Sequence, residues 1–138
     1  MTTDEIGQLY RLGDTDKTVA DPAADVRGRQ VVDADGEDVG RVEDLLVDDA
    51  EGRVRFLRVG EGGFLGLGGR HFLVPVEAVV GIDPETVRIS RDRGAMANVP
   101  TYDPQLTDAP EHYGAVYGWW GYPPFWGPGY AYPPFPRF

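Results

Sequence analysis

Short runs of Val, Leu, Ile and Phe separated by polar turns fill the middle of the chain, from residue 26 to residue 99. Short runs rich in β-branched and large apolar side chains, bounded by Gly, Pro and Asp, are typical of β-strands. We therefore predict five strands, at about 28–33, 38–47, 53–59, 71–76 and 86–90.

Two turns connect the first three runs. Asp35-Gly36 lies in the first turn and is a strong hairpin signal, because Gly adopts positive φ without steric cost. The second turn, residues 48–52, is a longer polar loop with Gly at its end. Strands joined in this way pair antiparallel, so the pattern predicts an antiparallel meander.

The second run has an ambiguous periodicity. Val39, Val42 and Leu45 recur at helical spacing. A strand is the better prediction, since Gly36 and Gly40 lower the helix propensity and a turn signal bounds each side. Gly40 is expected to mark a β-bulge.

Five short strands hide their edges best when the sheet closes on itself. We predict a mainly β fold, a small antiparallel β-barrel of five to six strands over residues 25–105. An irregular acidic arm, residues 1–24, precedes it, and a low-complexity tail rich in Pro, Gly and aromatic residues, 106–138, follows. A core of this size is only marginally stable alone, which favours self-association.

Three smaller features complete the predicted fold. Within the arm, residues 9–12 are expected to lie on the barrel. Residues 77–82 form a short connection that can hold one helical turn, and Pro75 indicates an edge position or a strand end. Residues 91–98 are predicted to form a short helix with Ser90 as its N-cap.

A loop at residues 60–70 follows the third strand, and six of its eleven residues are glycine. This glycine content excludes a regular element because of its backbone entropy. The loop lacks the Lys-Ser or Lys-Thr of a Walker phosphate loop and the βαβ unit of a dinucleotide site. Phe64, Leu65 and Leu67 either fold back over the barrel or form an apolar knob for a partner.

The tail holds eleven of the sixteen aromatic residues, and its run from 113 to 136 carries no charge. Tyr-Pro-Pro-Phe occurs at 122–125 and again at 132–135. Proline and glycine oppose a helix, so turns and polyproline-II are expected here and a membrane span is excluded.

Three interpretations of the tail stay open. It drives self-association through aromatic contacts, it docks on a partner or on the barrel itself, or it stacks on sugars, nucleobases or a membrane interface. Together with the glycine-rich loop, it supplies the candidate contact residues. These are Phe64, Leu65, Leu67, Trp119, Trp120, Tyr122, Phe125, Trp126, Tyr132 and Phe135.

Charge and composition narrow the function classes. The formal net charge is −10 and there is no cysteine. An acidic chain is unsuited to the phosphate backbone, so nucleic acid is a disfavoured partner. The absence of thiols fits a reducing compartment. The first residues lack the features of a signal peptide, so we expect a cytoplasmic protein without a transmembrane segment, with peripheral membrane association left open.

No motif for chemistry is recognisable. His71 and His112 are the two histidines, too few for a His-rich metal site, and no catalytic spacing surrounds them. The acidic turns at 33–38 and 48–51 are interpreted as solvated hairpin turns. We therefore expect no enzyme activity, no metal and no cofactor.

The combined pattern resembles the PRC-barrel domain. The stretch Val-Gly-Arg-Val-Glu-Asp-Leu-Leu-Val-Asp at 39–48 and Phe-Leu-Val-Pro-Val at 72–76 carry most of this likeness. Further matching pieces are 25–28, 35–37, 54–59, 77–79, 87–90 and 99–100. The family is named from the cytoplasmic part of the photosynthetic reaction centre H subunit, and it includes the C-terminal domain of the ribosome maturation factor RimM.

The resemblance implies a small β-barrel that acts as an adaptor and not as an enzyme. It suggests a protein-interaction or assembly module that self-associates and uses its aromatic tail as a second contact. Two alternatives are a ribosome- or RNA-associated factor like RimM and an accessory of a photosynthetic or electron-transport membrane complex. The overall layout looks like that of stand-alone bacterial PRC-barrel proteins.

Overall fold

In the computed structural model, the described residues are 9–15, 19, 21–49, 51–61, 70–102 and 110–136. Within them the fold is mainly β, with one seven-stranded sheet and one α-helix. No helix of these segments is long and apolar enough to cross a membrane. The elements are β1 Leu9–Arg11, β2 Gln30–Val32, β3 Asp38–Asp48, β4 Val54–Gly60, β5 His71–Pro75, β6 Val79–Ile82, β7 Thr86–Ile89 and α1 Pro110–Trp120.

The long strand β3 is the centre of the sheet. It pairs antiparallel with β4 along one edge, with Leu45 opposite Leu57. Its other edge is shared by β2 and β1, with Val31 opposite Gly40 and Tyr10 opposite Val47. The predicted strand is therefore confirmed, and the helical spacing of its valines did not decide its conformation.

The sheet has the order β5-β4-β3-β2-β7-β6, and the pairing of β2 with β7 is parallel. The outermost strands β5 and β6 are consecutive in the chain, joined by the 3-10 turn Val76–Ala78. Because three residues span only about 10 Å, the sheet must curl to bring these ends together. The result is a barrel-like sheet whose described ladder is left open between β5 and β6.

The sheet differs from the predicted antiparallel barrel of five to six strands, because it has seven strands and one parallel pair, β2 with β7. Residues 77–82 were expected to be a connection, but Val79–Ile82 form β6, which pairs with β7. Residues 9–12 of the arm lie on the sheet as predicted, but Leu9–Arg11 do so as a regular strand, β1, paired with β3. Both strands are too short for a periodic signal, so only a partner strand fixes their conformation.

The predicted short helix after β7 is a 3-10 helix, Ala95–Asn98. The residue before it is Gly94, and no side chain caps it. Ser90 is therefore not the N-cap. Its hydroxyl instead accepts a hydrogen bond from Tyr122, which lies beyond α1.

The acidic turn between β2 and β3 is less solvated than predicted, because Asp33 is buried. Its carboxylate accepts hydrogen bonds from the backbone N–H groups of Asp35, Glu37 and Arg93. Although burial acts in the opposite direction, these N–H groups lower the pKa of Asp33. Asp33 thus ties the hairpin turn to the segment after β7.

The expectation of turns and polyproline-II throughout the tail is wrong for α1. Its buried residues Tyr113, Val116, Tyr117 and Trp120 recur at helical spacing. The prolines of the uncharged run begin only at residue 123, so none interrupts the helix. Gly121, with φ +83, ends it, and the N–H of Tyr122 donates to the carbonyl of Tyr117 at 3.2 Å.

Residues 110–136, called the strap below, pack onto the barrel. The Tyr113 ring stacks on Phe56 with centroids 5.3 Å apart. The indole N–H of Trp120 donates to the carbonyl of Leu73 at 3.1 Å, and the Tyr132 hydroxyl donates to that of Val54 at 2.9 Å. The strap and the strands therefore share one hydrophobic core.

We predict that Gly40→Ala destabilises the fold strongly. Gly40 has φ +156 at the register shift between β2 and β3, and a Cβ there would lie 2.3 Å from the carbonyl oxygen of Gly60. The expected loss in free energy of unfolding is about 2 kcal/mol, measured by urea titration. Gly81→Ala in β6 is the control, because its nearest neighbouring atom is 3.9 Å away; equal effects at both positions would contradict the argument.

Candidate functional site

A buried ion pair lies at the end of the β3–β4 hairpin. Arg55 is 6% exposed and Asp48 is 3% exposed, and Arg55 Nε is 2.7 Å from Asp48 Oδ2. The other carboxylate oxygen of Asp48 accepts the backbone N–H of Glu51. The acidic turn at 48–51 is thus not wholly solvated as predicted, because Asp48 neutralises an arginine in the interior.

Aromatic rings from the strap surround the Arg55 guanidinium. Its central carbon lies 4.4 Å from the ring centroid of Phe125, 5.5 Å from that of Tyr132 and 5.9 Å from that of Tyr130. Cations are attracted to the faces of aromatic rings, most strongly away from water. Arg55 therefore holds the irregular half of the strap against the hairpin.

A cleft of about 420 Å³ opens beside Arg55, between the hairpin loop and the strap. Glu51 and Arg53 form its hairpin side, and the backbone near Gly127 and Gly129 forms its opposite side. We call it the Arg55 cleft. Its full lining is Glu51, Arg53, Arg55, Phe125, Gly127, Gly129, Tyr130 and Tyr132.

The carboxylate of Glu51 bridges the two arginines of the cleft. Its Oε2 lies 3.3 Å from Arg53 Nε and 3.4 Å from Arg55 Nη2. The Glu51 side chain is 56% exposed and that of Arg53 is 46% exposed. These contacts are longer and more exposed to solvent than the contact of Arg55 with Asp48, so they contribute little to the stability of the fold.

Glu77, in the turn between β5 and β6, lies beside the same cluster. The Tyr130 hydroxyl donates to Glu77 Oε2, whereas Glu77 Oε1 is buried without a hydrogen-bond partner. Burial raises the pKa of Glu77, against the opposing effects of the Tyr130 hydroxyl and the Arg55 charge. Burial also raises the pKa values of Tyr117, Tyr130 and Tyr132, so all three hydroxyls stay neutral.

This arrangement is suited to binding. Two guanidiniums, aromatic faces and neutral hydroxyls recognise anions and planar groups. Among the described segments, no group of three or more His, Asp or Glu side chains is placed to hold a metal ion.

The structure divides the candidate contact residues into three groups. Trp120 and Phe135 are buried in the chain's own core, at 3% and 4% exposure. Phe64, Leu65 and Leu67 lie outside the described residues. The others are half-buried: Phe125 and Tyr132 in the Arg55 cleft, and Trp119, Tyr122 and Trp126 elsewhere on the strap.

Sequence reasoning missed the charged half of this site, namely Asp48, Arg55 and Glu77, as well as Tyr130. One signal was available, because Arg55 interrupts an apolar strand and a charge there requires a partner. The aromatic rings that contact Arg55 belong to residues about 70 positions later in the chain. No local sequence pattern predicts such a contact.

We predict that Asp48→Asn lowers the free energy of unfolding by about 3 kcal/mol, because it leaves Arg55 buried without its closest counter-ion. Thermal or urea unfolding measures the loss. Asp25→Asn is the control, since the pair of Asp25 with Arg27 is 34% and 36% exposed and should contribute less than about 1 kcal/mol. A loss at Asp48 no larger than that at Asp25 would show that the buried pair is dispensable.

The raised pKa of Glu77 predicts a pH-dependent stability. The folded chain binds this proton more tightly than the unfolded chain. Stability therefore rises as pH falls through the raised pKa and levels off below the ordinary value of 4.5.

Glu77→Gln should remove this dependence, so the variant is the more stable protein at pH 8 and loses its advantage near pH 4. Denaturant titrations across that range measure the difference. Glu85→Gln, in an exposed turn, is the control for the loss of one negative charge. A constant difference between Glu77→Gln and wild type at every pH would refute the assignment.

Comparison with known proteins agrees with this architecture. The family model described as PRC-barrel domain matches residues 20–96, which is more than half of the chain. The match begins shortly before β2 and ends within the 3-10 helix after β7, so the strap lies beyond it. No curated protein matches the chain significantly. The sheet and the family match lead to the same conclusion, and the chain belongs to the PRC-barrel domain family.

Proposed function

We propose that this chain is a non-enzymatic protein-interaction and assembly module whose partner surface is the outer side of the strap. PRC-barrel membership supports an interaction module. The observation that carries the proposal is the division of the strap's aromatic residues. Six of them stay half-buried on the strap: Trp119, Tyr122, Phe125, Trp126, Tyr130 and Tyr132.

These rings are fixed in place before any partner arrives. Arg91 stacks on Trp119 at 4.4 Å and donates to its carbonyl at 2.6 Å. Trp126 makes edge-on contacts with Phe125 and Tyr117, at centroid distances of 5.2 and 5.6 Å. Rings that are already ordered lose little entropy on binding, and Trp, Tyr and Arg dominate binding hot spots.

The rest of the described surface offers little apolar area. Val80 is its single exposed large hydrophobic side chain. A partner that recognises apolar surface therefore finds it on the strap. Nucleic acid is a poorer fit, because the net charge is −10 and Arg55 and Arg91 already stack on the chain's own rings.

The strap also bears on self-association. It contributes Tyr113, Val116, Tyr117, Trp120 and Phe135 to the core. This apolar burial is what a small barrel would otherwise gain from a second copy. We therefore assign the surface to a different protein, with a second copy as the alternative occupant.

Photo-crosslinking tests the proposal. With Trp126→p-benzoylphenylalanine in the full chain, irradiation of cells should produce discrete adducts with one or a few other proteins, identified by mass spectrometry. The same amino acid at the exposed position Glu85 is the control. Adducts of twice the chain's mass would assign the surface to self-association, and a pattern identical at both positions would overturn the proposal.

A further inference from the structure

The two arginines of the Arg55 cleft converge on one point. Arg55 Nη2 donates a hydrogen bond to Glu51 Oε2, and Arg53 Nε lies 3.3 Å from the same oxygen. The position of this oxygen is therefore a preformed site for one oxygen of an anion. The guanidinium fork matches the geometry of carboxylate and phosphate oxygens.

Glu51 is a replaceable occupant of that site. Its contacts of 3.3 and 3.4 Å are long for charge-assisted hydrogen bonds, and its side chain is 56% exposed. The neighbouring contact of Arg55 with Asp48, at 2.7 Å, is short and buried. An external carboxylate can displace Glu51 into solvent without disturbing the pair that holds Arg55 in place.

The charges of the cleft select a monoanion. Arg55 is neutralised by Asp48, so Glu51 is the counter-ion of Arg53. Once Glu51 swings out, one positive charge is left to be matched. The chain has a net charge of −10 and repels a ligand with several negative charges. Ligands with more than one phosphate group are therefore disfavoured.

The accessible wall of the cleft is mostly polar. Arg53 covers the Tyr132 ring at 4.7 Å, and Arg55 covers the Phe125 ring at 4.4 Å. Gly127 and Gly129 on the opposite side have no side chains to fill the space. The volume of about 420 Å³ is in the range of small-molecule sites.

We infer that the Arg55 cleft binds a small carboxylate, which displaces Glu51 and pairs with Arg53 and Arg55. The cleft shares Phe125, Tyr130 and Tyr132 with the proposed partner surface, but ligand binding is measured without a protein partner. The ligand would touch both the hairpin and the strap, so its binding stabilises the docked strap.

Isothermal titration calorimetry of 4-hydroxybenzoate into the full-length protein tests the inference. Wild type should bind it in the millimolar range or tighter. Glu51→Gln should bind about fivefold more tightly, because the competing carboxylate is gone. Arg53→Gln should bind at least about tenfold more weakly, because it removes a charged donor. Arg27→Gln, far from the cleft in sequence and paired with Asp25, is the control and should match wild type.

Two further titrations test whether the cleft requires a carboxylate. The neutral analogue 4-hydroxybenzamide should not bind, and inorganic phosphate should not displace 4-hydroxybenzoate. Circular dichroism confirms that each variant is folded. The inference is overturned if wild type and Glu51→Gln show no binding up to about 10 mM, if the amide binds as well as the acid, or if Arg53→Gln binds like wild type.

Discussion

The structure depends on β4 being buried on both of its faces. The adjacent residues Phe56 and Leu57 are both fully buried, and neighbouring side chains of a regular strand point to opposite faces. The interior of the barrel covers only one face. The strap covers the other, because Tyr113 stacks on Phe56 at a centroid distance of 5.3 Å and Tyr117 packs against it at a tilt, at 5.2 Å. The barrel-like sheet thus acquires a second layer without a second domain.

The charged cluster is a consequence of that layering. Arg55 lies in the buried stretch of β4, so its charge must be matched inside the protein. Asp48 matches it across the hairpin, and the rings of the strap accept its guanidinium. Glu77 is buried under the same segment, and this burial raises its pKa. The strap has no regular secondary structure after Gly121. The Arg55 cleft lies where this part of the strap contacts the polar end of the hairpin.

Some aromatic residues of the strap anchor it to the barrel, and others stay partly exposed on its surface. Trp120 and Phe135 are buried as anchors, and Tyr132 and Tyr122 use their hydroxyls to bind the barrel at Val54 and Ser90. Each Tyr-Pro-Pro-Phe copy begins with one of these two tyrosines. Proline restricts the backbone between them, so the remaining aromatic faces are held in place. An interaction module gains affinity from such preorganisation because less entropy is lost on binding.

The sequence by itself determined the β meander, its two hairpin turns, the bulge glycine and the PRC-barrel pattern, because alternation and turn chemistry act over a few residues. The sequence also has apolar residues at helical spacing, Tyr113, Val116, Tyr117 and Trp120. The prolines that follow them made a helix look unfavourable. Only the tertiary structure decided that β1 and β6 become strands, that the tail docks on its own barrel, and that Arg55 meets Asp48, Phe125 and Tyr132. Those contacts join distant parts of the chain, and their stability comes from shared burial, which no local sequence pattern encodes.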